Sequence, residues 1–277
     1  MVLHKILLKM TKQILKELEE IERENKIRIL YAVESGSKAW GIASKDSDND
    51  VRFVFVRSRD EYLDLDKKPD VIDIDKHLPK RDYVGFDIYK FLHMARTSNP
   101  QVVEWIVSPI VYINKFKMFK EVKDEVCNNF NPIALFHHYK SMCKSNYVKY
   151  LKSGNLVTYK KYLYAMRGVL NAIWVLHHNT VPPVIFPNTI NEINPITKKG
   201  DFLNVAEVKE IVPNWILKKV SDIIYLKTQG KEKDIIENIV HIDQYIESFL
   251  KSNEEPTPRK RFNIRVFDEF LKANLED

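Results

Sequence analysis

The sequence predicts an α+β chain: a small mixed β-sheet in an N-terminal domain, residues 1–112, followed by an all-helical domain, residues 113–277. Three observations point there. Apolar runs of strand length fall between residues 27 and 88, and two of them alternate. From about residue 113 onward the apolar residues recur at helical spacing. The composition is 44% hydrophobic, with 14 Phe and 13 Tyr but only 7 Gly in 277 residues, which suits a chain with a sizeable core rather than a disordered one.

Each element has its own reason. Residues 3–25 read as an amphipathic helix, because Leu7, Met10, Ile14, Leu18 and Ile21 lie three and four apart. Residues 27–33 and 50–56 are apolar runs and form the first two core strands. Residues 71–75 and 82–88 alternate across a polar turn with Pro79, the pattern of a hairpin. A helix over 89–97 follows, then a second one begun by Asn99 as N-cap and Pro100 in the first helical position, with Trp105 in the core and Glu104 outside. Beyond it the pattern predicts helices over 116–127, 133–152, 159–178, 205–228 and 235–250, with a break or kink at Pro213. Residues 252–258 are a linker to a last helix over 266–275.

The chemistry concentrates in residues 34–52. A small-residue turn, Gly36-Ser37, follows the first strand, and the carboxylates Asp48 and Asp50 open the second. Strand alternation puts Asp48 and Asp50 on one face, about 7 Å apart. Two carboxylates held so are unfavourable without a cation between them, and hard oxygen ligands suit Mg²⁺. Gly36 lets the backbone approach a phosphate and Ser37 can donate to it. The stretch reads as a phosphate cradle followed by a metal clamp.

Gly36-Ser37, ten residues, then Asp48-Asn49-Asp50-Val51 resembles the signature of the DNA polymerase β-type nucleotidyltransferase superfamily. With Lys38-Ala39-Trp40-Gly41, Asp46-Ser47 and Asp50-Val51-Arg52-Phe53 it is similar to the branch found beside RNA ligases and other RNA-repair enzymes. The resemblance covers residues 27–186. It implies that the first two strands pair antiparallel. It also implies a third metal-binding carboxylate on a later strand, for which Gly85-Phe86-Asp87-Ile88 is the matching motif. Asp87 is the residue so assigned, and a lone carboxylate in an apolar strand is costly unless paired or metal-bound. Asp73 and Asp75 are the alternatives. The resemblance further implies two Mg²⁺ (or Mn²⁺) ions on Asp48, Asp50 and Asp87. A nucleoside triphosphate would lie against Gly36, Ser37, Lys38 and Arg52. A helical domain would supply phosphate-binding groups from Lys160, Lys161, Tyr162 and Arg167, on the matching Lys-Lys-Tyr-Leu-Tyr…Arg string.

The net charge of +6 is unevenly spread. Between Glu125 and Glu192 there is no Asp or Glu, while that stretch carries Lys140, Lys144, Lys149, Lys152, Lys160, Lys161 and Arg167. A carboxylate-rich half beside a cationic one suits an enzyme that holds metal on one wall and phosphates on the other. His137-His138 and His177-His178 point about 100° apart on a helix, so neither pair chelates, and they read as packing or RNA contacts. Cys127 and Cys143 have neither zinc spacing nor a disulfide framework, which fits a reducing compartment. No apolar run reaches membrane-spanning length, and the N-terminal run is too interrupted for a signal peptide. The expectation is a cytoplasmic, metal-dependent nucleotidyltransferase that transfers NMP from an NTP to a hydroxyl, above all an RNA 3′ end, with NTP and RNA as partners. Transfer to a protein or small-molecule hydroxyl, and non-catalytic nucleotide or RNA binding, are the competing readings.

Overall fold

The structure is a computed structural model that describes residues 2–76, 81–154, 157–194, 196–198, 206–208, 210–258 and 262–275. In chain order the elements are α1 (Val2–Asn25), β1 (Arg28–Ser35), α2 (Gly36–Ala39), β2 (Asn49–Val56), α3 (Arg59–Leu63), β3 (Val71–Lys76), β4 (Arg81–Asp87), α4 (Ile88–Arg96), α5 (Pro100–Ile106), β5 (Val111–Asn114), α6 (Phe119–Asn129) and α7 (Pro132–Asn146). A π-helix (Tyr147–Lys152) extends α7. Then come α8 (Tyr159–His178), α9 (Phe186–Glu192), β6 (Ile196–Lys198), β7 (Ala206–Val208), α10 (Asn214–Thr228), α11 (Val240–Lys251) and α12 (Ile264–Leu275).

The chain divides into two units that interleave in sequence. One comprises residues 1–39, 48–130 and 261–277, the other residues 40–47 and 131–260. The division therefore does not follow a single cut near residue 112.

The first unit is built on a mixed five-stranded sheet in the order β3-β4-β2-β1-β5. β1 pairs antiparallel with β2 and β5, β3 antiparallel with β4, and only β2 and β4 run parallel. The alternating apolar runs drive this, since one face of the strands must be covered. α1 covers one face: Ile14, Leu18 and Ile21 are buried against Ile29, Val51, Phe53 and Phe55. Gly85 is fixed by packing, because a Cβ there would lie 2.2 Å from the Phe53 ring. Tyr31, Phe91, Phe116, Phe119 and Phe270 form a second, aromatic cluster, and Phe270 draws α12 back to this unit. The hairpin over β3 and β4 has the expected pairing, while its Pro79 turn lies outside the described residues. Asn99 caps α5 and Pro100 occupies its first turn, as expected.

Several elements depart from the sequence reading, among them the unexpected α9, and α11, which begins at Val240 rather than at residue 235. Residues 111–114 form the edge strand β5, four residues that complete the sheet where a helix was expected to begin nearby. The expected break falls at Pro213, but what precedes it is not helix: Pro213 stands at the start of α10, and residues 210–212 form a loop gripped by the Asn194 side chain. A proline lacks the N–H a helix interior requires, so the helix begins there. The second unit, otherwise helical, also carries the β6–β7 pair.

In that second unit α8 is the axis. Leu163, Met166, Val169, Leu170 and Ile173 are buried along it against α7, α9, α10 and α11. Gly168 lets α7 and α8 approach closely: a Cβ there would lie 2.7 Å from the Tyr139 carbonyl oxygen.

Candidate functional site: the open ends of β2 and β4

β1 ends in a buried acid. Glu34, 1% exposed, accepts hydrogen bonds from the Asn49 amide (2.9 Å), the Asp50 backbone N–H (2.8 Å) and the Tyr112 hydroxyl. Burial pushes its carboxyl upward, and those three donors pull it back. The chain then turns at Gly36, whose φ of +59° a side chain would strain. A Cβ on Gly36 would lie 1.9 Å from Asp50 Oδ2, so the Asp50 carboxylate rests directly on the glycine. α2, carrying Ser37 and Lys38, completes the turn.

Across the turn, Asn49 points to Glu34 and the Asp50 carboxylate to Gly36, while Asp48 stands exposed just before the strand, near enough to Asp50 to raise its carboxyl. Asp50 is half-buried. Burial raises its carboxyl most; Arg52 lowers it, Asp82 and Asp48 raise it, and Lys38 lowers it. The Lys38 ammonium is itself held down by burial, with Glu34, Asp48 and Asp50 acting against that.

Asp82 enters through the sheet register. β2 and β4 are parallel, with Asp50 opposite Asp82. The Arg52 guanidinium bridges the two, at 3.4 Å from Asp50 Oδ1 and 2.8 Å from Asp82 Oδ2. Asp87 is at the other end of β4, opposite Phe55, five residues and therefore about 17 Å from the Asp50 pairing position. It does not join Asp48 and Asp50. Its oxygens accept from the Tyr62 hydroxyl (2.8 Å) and the Tyr89 N–H (2.9 Å), where it caps α4. Asp73 and Asp75 lie on β3, one strand further out. The third carboxylate beside Asp50 is Asp82.

On α8 the four expected cations and hydroxyls separate. Tyr162 is fully buried; its hydroxyl donates to Asp243 Oδ1 and accepts from the Ile239 N–H, both at 2.8 Å. It braces α11 rather than offering itself to a nucleotide. Arg167 is 3% exposed, with its guanidinium 3.8 Å from the Trp40 ring centroid. Trp40 also meets the Tyr164 edge and its carbonyl accepts from the Phe186 N–H, while Ile42 lies in the same core. Residues 40–47, the stretch between the glycine turn and Asp48, are thus anchored within the helical unit. Lys160 and Lys161 are partly exposed, and Lys161 Nζ lies 3.5 Å from the Tyr150 ring centroid.

Among the described residues no three His, Cys, Asp or Glu side chains converge as a formed metal site. The donor set nonetheless fits a hard divalent cation. Asp48, Asp50 and Asp82 supply oxygen alone, and Asp50 is made harder to ionise by its two acidic neighbours. Arg52 stands as the cation between two of them. Sequence reasoning missed Glu34 and Asp82. Glu34 had a signal, an acid closing an apolar strand two residues before the glycine; Asp82 had none without the strand register.

A family model described as the RNA repair pathway DNA polymerase beta family (RlaP) matches residues 10–272. The Bacillus subtilis (strain 168) protein YcgL, described as uncharacterized, is 34% identical over 242 residues, which is 87% of this chain and 86% of that one. Among solved structures, a nucleotidyltransferase-like protein from Exiguobacterium sibiricum aligns over 92% of this chain and 73% of its own, at 11% identity and a TM-score of 0.29.

Proposed function

The chain belongs to the RNA repair pathway DNA polymerase beta family, a nucleotidyltransferase family, and on that premise we propose that it transfers an NMP from an NTP to an RNA 3′ hydroxyl in a reaction that requires Mg²⁺ or Mn²⁺. The observation that carries the reading is the Asp50–Asp82 pairing beside Gly36, with Asp48 next to it. Among the described residues no helix is long and apolar enough to cross a membrane.

Asp48, Asp50 and Asp82 would hold the divalent metal. When bound, the metal neutralises charge on the attacking oxygen and on the leaving pyrophosphate. Gly36 brings the backbone close to the triphosphate, Ser37 donates to it, and Lys38 and Arg52 offset its charge. Arg167 acts through Trp40 to hold residues 40–47. Asp82 favours loss of the proton from the acceptor hydroxyl. The RNA 3′ oxygen bonds to the α-phosphorus as the α–β phosphoanhydride breaks, and pyrophosphate leaves.

RNA is favoured over other hydroxyl acceptors by the family and by a groove of about 360 Å³ on the helical unit, lined by Lys140, Lys144 and Lys251 and by the Lys152–Glu247 ion pair. The test incubates the protein with each α-labelled NTP, total RNA and Mg²⁺. Label should enter RNA and be lost with EDTA or RNase. Label retained on protein after RNase treatment would reassign the acceptor.

A further inference from the structure

The end of the sheet remote from Asp50 is also built as a site. A cleft of about 950 Å³ opens there, where β1 begins and β2 ends. Its lining carries Lys26, Arg28, Arg57, Arg59 and Lys272 against one acid, Asp60. Lys26, Arg59 and Lys272 make no ion pair among the described residues. They come from three separate segments, the α1–β1 junction, α3 and α12, so the charge is spread along the cleft. Spread charge suits a row of phosphates better than one small anion.

The cleft also holds an aromatic platform. Tyr89 is 49% exposed, and Tyr62 meets it edge-on at 5.3 Å. Tyr62 is itself pinned: it donates to Asp87 and accepts from the Arg57 N–H at 3.1 Å. Asp87, which the metal site leaves unused, also receives the Tyr89 N–H. One buried carboxylate therefore holds the Tyr62 ring by its hydroxyl and the Tyr89 main chain by its N–H. A presented aromatic face among distributed cations is the composition that binds single-stranded nucleic acid, by stacking bases and tracking the backbone.

We infer that this cleft binds the single-stranded body of the RNA whose 3′ end is the acceptor, with a base stacked on Tyr89 and phosphates against Lys26, Arg59 and Lys272. The inference rests on RNA being the acceptor. β2 separates Asp50 from Val56 by six residues, about 20 Å. A stacked strand rises about 3.4 Å per nucleotide, so an RNA must exceed roughly six nucleotides to reach both ends.

The experiment measures binding of a labelled, unstructured 20-nucleotide RNA across several salt concentrations, and transfer to 4- and 20-nucleotide acceptors. Variants are Tyr89→Ala, Tyr89→Phe and the double Arg59→Ala/Lys272→Ala. The double variant should flatten the slope of log affinity against log salt by about 1.4, two phosphate contacts at about 0.7 each. Tyr89→Ala should weaken 20-nucleotide binding by about 5- to 100-fold, the worth of one stacked base, and Tyr89→Phe should restore it. Transfer to the 4-nucleotide acceptor should be unchanged in all three. If wild-type protein binds RNA and the variants keep its affinity and slope, the cleft is not an RNA site. If the variants lose ATP affinity instead, it is a nucleotide pocket. If wild-type protein binds no RNA, the RNA acceptor reading fails with it.

Discussion

The two ends of the β2–β4 strand pair each hold an aspartate, Asp50 half-buried and Asp87 buried, and the two have opposite surroundings. At one end Asp50 faces Asp82, has Asp48 beside it, and is offset by Arg52 and Lys38. At the other end Asp87 receives a tyrosine hydroxyl and a backbone N–H. Burial raises both carboxyls. Hydrogen bonds from Tyr89 and Tyr62 are the leading forces that bring Asp87 back down, so its charge is satisfied inside the protein. Asp50 has like charges working against it, and that imbalance is what supports the proposed divalent cation there. Residue type and apolar flanks do not distinguish a structural carboxylate from a reactive one; the partners do.

The comparison breaks most severely at Asp50. Asp50→Asn should reduce transfer by about 10³-fold or more, because it removes several kcal/mol of charge stabilisation from the transition state. Stability should respond in the other direction. A carboxyl raised in the folded state binds its proton more tightly there, so its ionisation costs stability as pH rises from the ordinary carboxylate range through the folded value. Metal-free Asp50→Asn should therefore be at least as stable as wild type at neutral pH, by urea denaturation. A destabilised variant would mean that Asp50 is a structural charge like Asp87.

Gly36→Ala sharpens the comparison from the backbone side. Its Cβ would meet Asp50 Oδ2 at 1.9 Å, at a φ of +59°. The carboxylate must move, and a displacement of about 1 Å can cost about 10²-fold in rate. Steady-state kinetics should show that loss, against a stability cost of about 1–2 kcal/mol for the left-handed residue. Loss of stability without loss of rate would separate Asp50 from the chemistry.

Tyr162→Phe gives the smallest expected effect and lies on the helical unit. It leaves the Ile239 N–H and the Asp243 carboxylate without their shared hydroxyl, costing about 1–2 kcal/mol. NTP affinity, by titration, should not change. A selective loss of NTP affinity would return Tyr162 to the nucleotide.

Much of this was legible in the sequence. The glycine turn, Asp48 and Asp50, the antiparallel β3–β4 hairpin, the Asn99-Pro100 cap and the span of α8 all follow from local rules of spacing, alternation and capping. What escaped is non-local. Asp82 and Asp87 both sit on β4, and which one meets Asp50 depends on whether β4 runs parallel or antiparallel to β2. Alternation is the same either way. β5 is a four-residue edge strand made by pairing with β1, with no periodicity long enough to read. Tyr162 had a local signal that was outweighed: it lies four residues before Met166 and seven before Val169, on the apolar stripe of α8 rather than on its cationic face.

The most direct test of the account sets Asp82→Asn beside Asp87→Asn in one Mg²⁺-dependent transfer assay with labelled NTP and RNA. Asp82→Asn should fall by at least about 10²-fold with its unfolding curve unchanged. Asp87→Asn should keep transfer to a short acceptor within a few-fold of wild type while losing about 1 kcal/mol of stability through the weakened Tyr62 bond, its amide oxygen still capping α4. The opposite ranking, transfer lost with Asp87 and kept without Asp82, would contradict the assignment of the reaction to the Asp50 end of the sheet.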